Sequence, residues 1–351
     1  MKKTKIAFAC QGGGSHTAFT AGVLKHFFEQ SVQEKYNLVG LTGTSGGAVC
    51  AVAAWYGLAR AANGIDEPPH KILIDFWMAN TPQSPQEELF AAMTDLYLRI
   101  AETGKVPLLP PNPYRDEVVL EMMMPFFRRK EFVDFRTLVE NHIDFDELQS
   151  MITDTSPRLL LGAVNILTGH FKTFDSRVPG EISVEAILAS AAVPNVFKAV
   201  HIGKDLYWDG LFSQNPPVAN LLKTDPDNRP DEIWVIMINS LEREDEPTTA
   251  SEISDRRNEL SGNLSMYQEL NFIKTVNRWI EKGYFRPGKV GELKPIKIRI
   301  IRMSKAYSDS LTYNTKLSRE ADFIEELIGE GEAQAAAFLK DLEDPVAEVA
   351  V

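Results

Sequence analysis

Residues 36–59 read YNLVGLTGTSGGAVCAVAAWYGLA, and no charged side chain interrupts these 24 positions. A membrane-spanning helix needs about 20 apolar residues, so length alone would permit one. The centre of the stretch forbids it, because Thr42-Gly43-Thr44-Ser45-Gly46-Gly47 is a hydroxyl- and glycine-rich break. The pattern predicts a buried strand over Leu38–Thr42, a tight turn, and a buried helix of small residues over Gly46–Leu58. Ser45 then stands at the apex of a G-x-S-x-G turn between strand and helix. Such an elbow is strained and crowded. Glycines before and after the serine (Gly43, Gly46 and Gly47) remove side chains that would clash there. The helix beginning under Ser45 also aims its N-terminal amides and its dipole at negative charge developing beside the hydroxyl.

Outward from the elbow, short apolar runs alternate with helical periodicity. Lys5–Cys10 reads as a strand, Gln11–Gly14 as a glycine loop, and Thr17–Gln30 as a helix carrying Phe19, Val23, Leu24, Phe27 and Phe28 on one face. Helices are expected over Ile72–Met78, Glu87–Ile100, Val184–Ala192, Leu264–Lys282 and Thr315–Leu342. Strands are expected over Arg158–Leu167, Phe171–Phe174, Asp205–Trp208, Ile233–Asn239 and Pro295–Met303. Leu241–Asn263 is charged, and its Glu242–Thr249 part reads as a solvated loop. The alternation predicts an α/β fold with a mostly parallel central sheet.

The middle of the chain differs. Pro107, Pro110, Pro111 and Pro113 exclude regular structure. Val118–Val133 follows with Met122-Met123-Met124, Phe126-Phe127 and Arg128-Arg129-Lys130. Residues 104–150 are expected to be an inserted helical cap. Its Met and Phe side chains either pack on the core or form an adaptable lid that takes up acyl chains or touches lipid.

Composition narrows the function. With 351 residues the chain is read as one elaborated unit over 1–351, residues 223–351 extending and completing the sheet and helices. Its 37 Lys and Arg against 49 Asp and Glu leave a net charge of −12, with no basic block, which argues against nucleic acid as a partner. Two cysteines, Cys10 and Cys50, cannot build a disulfide framework and point to a reducing compartment. Behind Lys2-Lys3 the apolar run Ile6–Cys10 is shorter than the roughly 7–15 residues of a signal peptide. A cytoplasmic protein is therefore expected, with export only by signal-independent routes. No spacing of His, Cys, Asp and Glu suggests a metal site, and no cofactor is expected.

Gln11-Gly12-Gly13-Gly14-Ser15-His16 lies between a strand and a helix, where glycine amides can converge on an anion, either a phosphate or the oxyanion of acyl transfer. A dinucleotide fingerprint would need glycine where Thr17 stands, and no Gly-Lys-Ser/Thr follows for a phosphate-binding P-loop. The base for Ser45 is less obvious. The histidines are His16, His26, His70, His142, His170 and His201, and none lies in the last 150 residues, where an α/β-hydrolase triad would place its base. A triad through His170 or His201 stays open, as does a non-catalytic phosphate- or nucleotide-binding α/β protein. Asp209 offers a carboxylate that Tyr207, Trp208, Leu211 and Phe212 can desolvate and so make more basic. Alone, Asp-Gly marks an ordinary turn. Ser190 reads as a packed or capping serine, Cys50 as core, and Cys10 as core or site wall. Trp77, Trp234 and Trp279 read as core or cap residues.

Taken together, Gly12-Gly13-Gly14, Gly43-Thr44-Ser45-Gly46-Gly47, the block Ala189–Pro194 with Phe197, and Asp209-Gly210 followed by Asn215-Pro216 resemble the patatin-like phospholipase family, over residues 6 to about 222. The resemblance implies a three-layer α/β/α fold and a lipid acyl hydrolase. It implies Ser45 as nucleophile, Asp209 as base, and Gly12, Gly13 and Gly14 as the oxyanion hole. An acyl lipid would be the substrate, met in transient contact with a membrane or micelle. Three positions depart from the family pattern. His16 and Thr17 stand where a basic residue and a glycine are usual, and Leu211 where the family has glycine or alanine.

Overall fold

The central strand explains the layering. All six residues of Lys5–Cys10 are buried, and successive side chains leave on opposite faces. Ile6, Phe8 and Cys10 enter one apolar cluster with Phe19, Phe27, Val52 and Leu327. Ala7 and Ala9 enter a second one with Met266, Leu270 and Ile273. A strand covered on both faces belongs in the middle of a parallel sheet with helices on each side.

The computed structural model describes residues 3–102, 112–194, 196–225, 228–285 and 293–343. In chain order they form β1 (Lys5–Cys10), α1 (Ala18–Glu29), α2 (Val32–Lys35), β2 (Asn37–Gly43), α3 (Gly46–Ala62), α4 (Lys71–Ala79), α5 (Pro85–Glu102), α6 (Pro113–Met123), α7 (Phe135–His142), α8 (Phe145–Met151), β3 (Arg158–Asn165), β4 (Phe171–Asp175), α9 (Val184–Ser190), β5 (Val200–Ile202), β6 (Asp205–Asp209), β7 (Glu232–Met237), α10 (Ala250–Glu281), β8 (Lys297–Arg302), α11 (Lys305–Ser310) and α12 (Ala321–Glu343). Hydrogen-bonded neighbours run β5-β6-β3-β2-β1-β7-β8, with β4 also paired to β3. The run β3-β2-β1-β7-β8 is parallel. β4, β5 and β6 join by antiparallel pairs. With α1, α3 and α12 on one face and α10 on the other, this is the expected three-layer α/β/α arrangement. α12 lies so close on α1 that a Cβ at Gly22 or Gly331 would collide with a main-chain oxygen of the opposite helix.

Most expected elements are present, their ends shifted by a few residues. Four differences have physical causes. α10 begins at Ala250, within the stretch read as charged, because Thr249 and Glu252 form a reciprocal capping box. Within the expected helical cap, α6 stops at Met123, and Pro125 turns the chain into a short 3-10 segment. α6 buries none of its residues, and Met122 and Phe126 are 71% and 77% exposed, so these two do not pack on the core as one reading of the cap expected. The terminal helix is interrupted. A 3-10 turn at Asn314–Leu317 is followed by extended Ser318 before α12 starts.

Within the expected cap, α7 and α8 are part of the body, burying Leu138, Val139 and Leu148 in the main core. Pro107, Pro110 and Pro111 lie outside the described residues. Cys10 and Cys50 are free, buried thiols, and Cys10 is core rather than site wall. Trp77 and Trp234 are buried, whereas Trp279 is exposed. Among the described residues no helix is long and apolar enough to cross a membrane.

Candidate active site

The elbow is built as its sequence demands. Ser45 has φ 57° and ψ −131°, a region that side-chain-bearing residues rarely occupy and that costs about 1–3 kcal/mol. A side chain at Gly43 would collide with the Gly47 carbonyl oxygen, one at Gly46 with the Thr17 hydroxyl, and one at Gly47 with the Cys10 carbonyl oxygen. Ser45 is also the N-cap of α3, yet its hydroxyl makes no capping bond. Serine usually spends its oxygen there on an N2 or N3 amide, which stabilises a helix by about 0.5–2 kcal/mol. Forgoing that bond leaves Oγ free to react. The main chain holds the turn instead. The Ser45 N–H donates to Ser190 Oγ at 3.0 Å and to the Ser190 carbonyl oxygen at 3.1 Å. The Ser190 hydroxyl donates onward to the Gly162 carbonyl oxygen at 2.7 Å. Ser190 therefore positions the nucleophile turn, a role its sequence context did not reveal.

Asp209 arrives through a hand-over on β3. Gly43, the last residue of β2, pairs with Leu161. Residues 160–164 of β3 hold β4 on the opposite edge. β6 therefore occupies the same edge as β2, starting where β2 peels off into the elbow, and Asp209 pairs with Ala163. Two residues of β3, about 7 Å, separate the two pairings. Asp209 is fully buried, and its Oδ1 accepts the Leu211 N–H at 2.7 Å. Burial lifts its pKa to about 7, against the pull of the Leu211 N–H and the Ser45 hydroxyl, which favour the carboxylate. Oδ2 has no partner of full hydrogen-bond geometry, so the Ser45 hydroxyl stands close by without a formed bond. Nucleophile–base contacts in ligand-free sites are commonly long in this way.

The glycine loop lies directly on the elbow. A Cβ at Gly12 would be 2.5 Å from the Thr44 carbonyl oxygen and 2.9 Å from Ser45 Cβ. The Gly12 N–H is already engaged, donating to Asn215 Oδ1 at 2.7 Å. The N–H groups of Gly13 and Gly14 have no such acceptor among the described residues. Gln11 anchors the loop from below: its Nε2 donates to the Gly262 carbonyl oxygen and Asn263 Oδ1, and its Oε1 accepts from Ile238 and Asn239 N–H. His16 is buried and bonded to Thr315 Oγ1 at 2.7 Å, and burial drives its pKa well down. Thr17 closes the turn by donating to the Gly14 carbonyl oxygen at 2.6 Å.

Ser45, Asp209 and all three loop glycines line one cavity of about 400 Å³, whose walls are mainly apolar (Phe76, Trp77, Phe90, Phe132). No histidine lines it, and His170 and His201 are exposed elsewhere, so a Ser-His-Asp triad finds no base among the described residues. No group of three His, Cys, Asp or Glu able to hold a metal occurs among them either.

The sequence profile of patatin-like phospholipases matches residues 8–222. The chain belongs to the patatin-like phospholipase family. As a patatin-like phospholipase it is a serine lipid hydrolase of the α/β/α class. No curated protein matches its sequence. Among solved structures it is similar to VipD from Legionella pneumophila, at 12% identity and a TM-score of 0.42 over 97% of this chain and 67% of that one. It is also similar to human GIVD cytosolic phospholipase A2 in complex with methyl gamma-linolenyl fluorophosphonate, at 12% identity and a TM-score of 0.49 over 97% of this chain and 58% of that one. The family match ends before β7. This patatin-like phospholipase therefore draws Gly262, Asn263 and the 314–320 wall of its site from outside the matched span. Nothing in the spacing of those residues signals such a role.

Proposed function

We propose that this chain hydrolyses carboxylic esters of acyl lipids through a Ser45–Asp209 dyad. The observation that carries the reading is the burial of Asp209 beside the free hydroxyl of Ser45, in a cavity without histidine. A carboxylate with a pKa of about 7 is basic enough to take the hydroxyl proton near neutrality. Asp209 accepts that proton as Oγ bonds to the ester carbonyl carbon. The carbonyl oxygen becomes an oxyanion, held by the Gly13 and Gly14 N–H groups and by the helix N-terminus at Gly46. Gly12, whose N–H is engaged by Asn215, shapes this hole rather than donating to it. The tetrahedral intermediate collapses, Asp209 returns the proton to the leaving alkoxide, and an acyl-enzyme remains. Water, losing a proton to Asp209, attacks that ester, and Ser45 leaves with the proton as the fatty acid is released.

Several features fit a lipid-surface enzyme that acts as one unit over 1–351. Phe90 and Thr94 of α5 and Leu120 of α6 line the cavity. Leu89, Met93, Leu96, Met122 and Phe126 on and beside the same helices are exposed. We take this arm, the outer part of the 104–150 cap together with α5, as the face that rests transiently on a membrane or micelle. Beyond residue 222, β7 and β8 extend the sheet, and residues 314–320 add to the cavity wall. The free thiols fit a cytoplasmic location. Labelling with a fluorophosphonate and hydrolysis of a series of acyl esters test the reading. Labelling lost in Ser45→Ala is expected, whereas an unlabelled native chain without esterase activity would overturn it.

A further inference from the structure

The break before α12 puts Arg319 on the wall of the Ser45 cavity. Its guanidinium lies over the Phe132 ring, 5.2 Å from the centroid, and donates through Nη1 to the Phe132 carbonyl oxygen. Among the described residues no carboxylate stands within ion-pairing distance of it. Arg129 contacts the same ring, at 5.9 Å, and shows what a structural arginine looks like here. Glu87 grips Arg129 through both carboxylate oxygens, at 2.9 and 3.2 Å, and the Ala79 and Thr81 carbonyl oxygens take further N–H groups. Arg319 has none of this. An arginine has five N–H donors in a planar fork, and one hydrogen bond leaves most of them unused.

Burial, with the Arg129 charge adding to it, lowers the Arg319 pKa to about 10, so the group stays charged at neutral pH. Arg319 is half-buried, and none of its nitrogens is sealed from the cavity without a partner. Lys316, on the same wall, spends its ammonium on Asn239 Oδ1 and Asn258 Oδ1; the lining also carries Asp95, which pairs with Arg99, and Glu320, and neither carboxylate bonds Arg319. The cavity's buried carboxylate, Asp209, accepts the Leu211 N–H and stands beside the Ser45 hydroxyl, not beside Arg319. A guanidinium fork with unused N–H groups on a cavity wall suits the paired oxygens of a phosphate carried by a ligand.

We propose that Arg319 is a specificity-determining anion anchor, pairing with a phosphate carried by the acyl substrate and favouring phosphate-bearing esters over neutral ones. The proposal rests on the reading of this cavity as the acyl-ester site. Its test does not depend on turnover. Calorimetry would measure binding of a short-chain diether phosphatidate, which has no ester to cleave, and of the matching phosphate-free diether glycerol. The full chain, Arg319→Met and Arg319→Lys would each be titrated. The native chain is expected to prefer the phosphate ligand at least tenfold. Arg319→Met is expected to lose that preference, and Arg319→Lys to recover part of it, with fluorophosphonate labelling of Ser45 confirming a folded site in each. Equal affinities for the two ligands on the native chain, or an undiminished preference in Arg319→Met, would overturn the anchor. Inorganic phosphate binding as tightly as the diether phosphatidate would overturn substrate selection too, assigning the site to free phosphate. If the native chain cleaves no ester while these affinities behave as expected, the hydrolase reading fails and the anchor stands.

Discussion

Gly43 and Asp209 share one edge of β3, two residues apart: Gly43 opposite Leu161 and Asp209 opposite Ala163. The elbow leaves that edge where the antiparallel strand carrying the carboxylate takes it over. The proposed nucleophile and base are thus set by register along one buried strand rather than by flexible loops, the rigidity that a two-residue catalytic unit needs.

Removing either member should therefore remove the unit. Ser45→Ala and Asp209→Ala are each expected to lower ester turnover by on the order of 10⁴ or more, without additivity in the double variant. His170→Ala and His201→Ala, both at exposed positions, should stay near native turnover in the same assay.

Ser190 holds the strained turn. Ser190→Ala keeps its carbonyl contact to the Ser45 N–H but loses the Oγ acceptor and the link to Gly162. A stability loss of about 1–3 kcal/mol in denaturant unfolding is expected. Kinetically, kcat should fall more than KM rises, because the turn shapes the attacking group rather than the cavity wall.

Much of this site was legible in the sequence, but unevenly. The elbow announces itself because strand, turn and helix are contiguous and each glycine answers a local collision. Asp209 does not, since β6 reaches Ser45 only through its pairing with β3; family resemblance, not spacing, pointed to it. Ser190 read as a packed serine because its acceptor role depends on the placement of α9 against the elbow. Asp134 and Asp144 cap α7 and α8 with their side chains, as Thr249 and Glu252 cap α10, so those signals were present in stretches where polarity suggested loop or cap. Arg319 carries no local pattern at all. Its environment exists only after Phe132 and the 314–320 segment meet.

A basic carboxylate of this kind has a stability cost. The folded pKa of Asp209, about 7, lies above its ordinary value of 3.8, so the folded state binds more protons between these limits. Its contribution therefore destabilises the fold progressively as pH rises from about 4 to 7, and the full penalty is present above 7. Asp209→Asn should melt at a higher temperature than the native chain at pH 8, and the difference should shrink toward pH 4 in a thermal-unfolding series.

The exposed apolar arm predicts surface dependence. The double variant Met122→Glu, Phe126→Glu should lose vesicle adsorption, and its activity on vesicles relative to a monomeric ester should fall at least fivefold. Co-sedimentation with vesicles, beside turnover of both substrates, checks this; an unchanged ratio would separate the arm from lipid contact.

The most direct measurement of the dyad is the pH dependence of the second-order rate of fluorophosphonate labelling at Ser45, in the native chain and in Asp209→Asn. A carboxylate base predicts a native rate that rises with pH through an inflection near 7, and a variant that labels orders of magnitude more slowly with that inflection gone. A variant that labels at the native rate, or keeps the same inflection, would contradict Asp209 as the base.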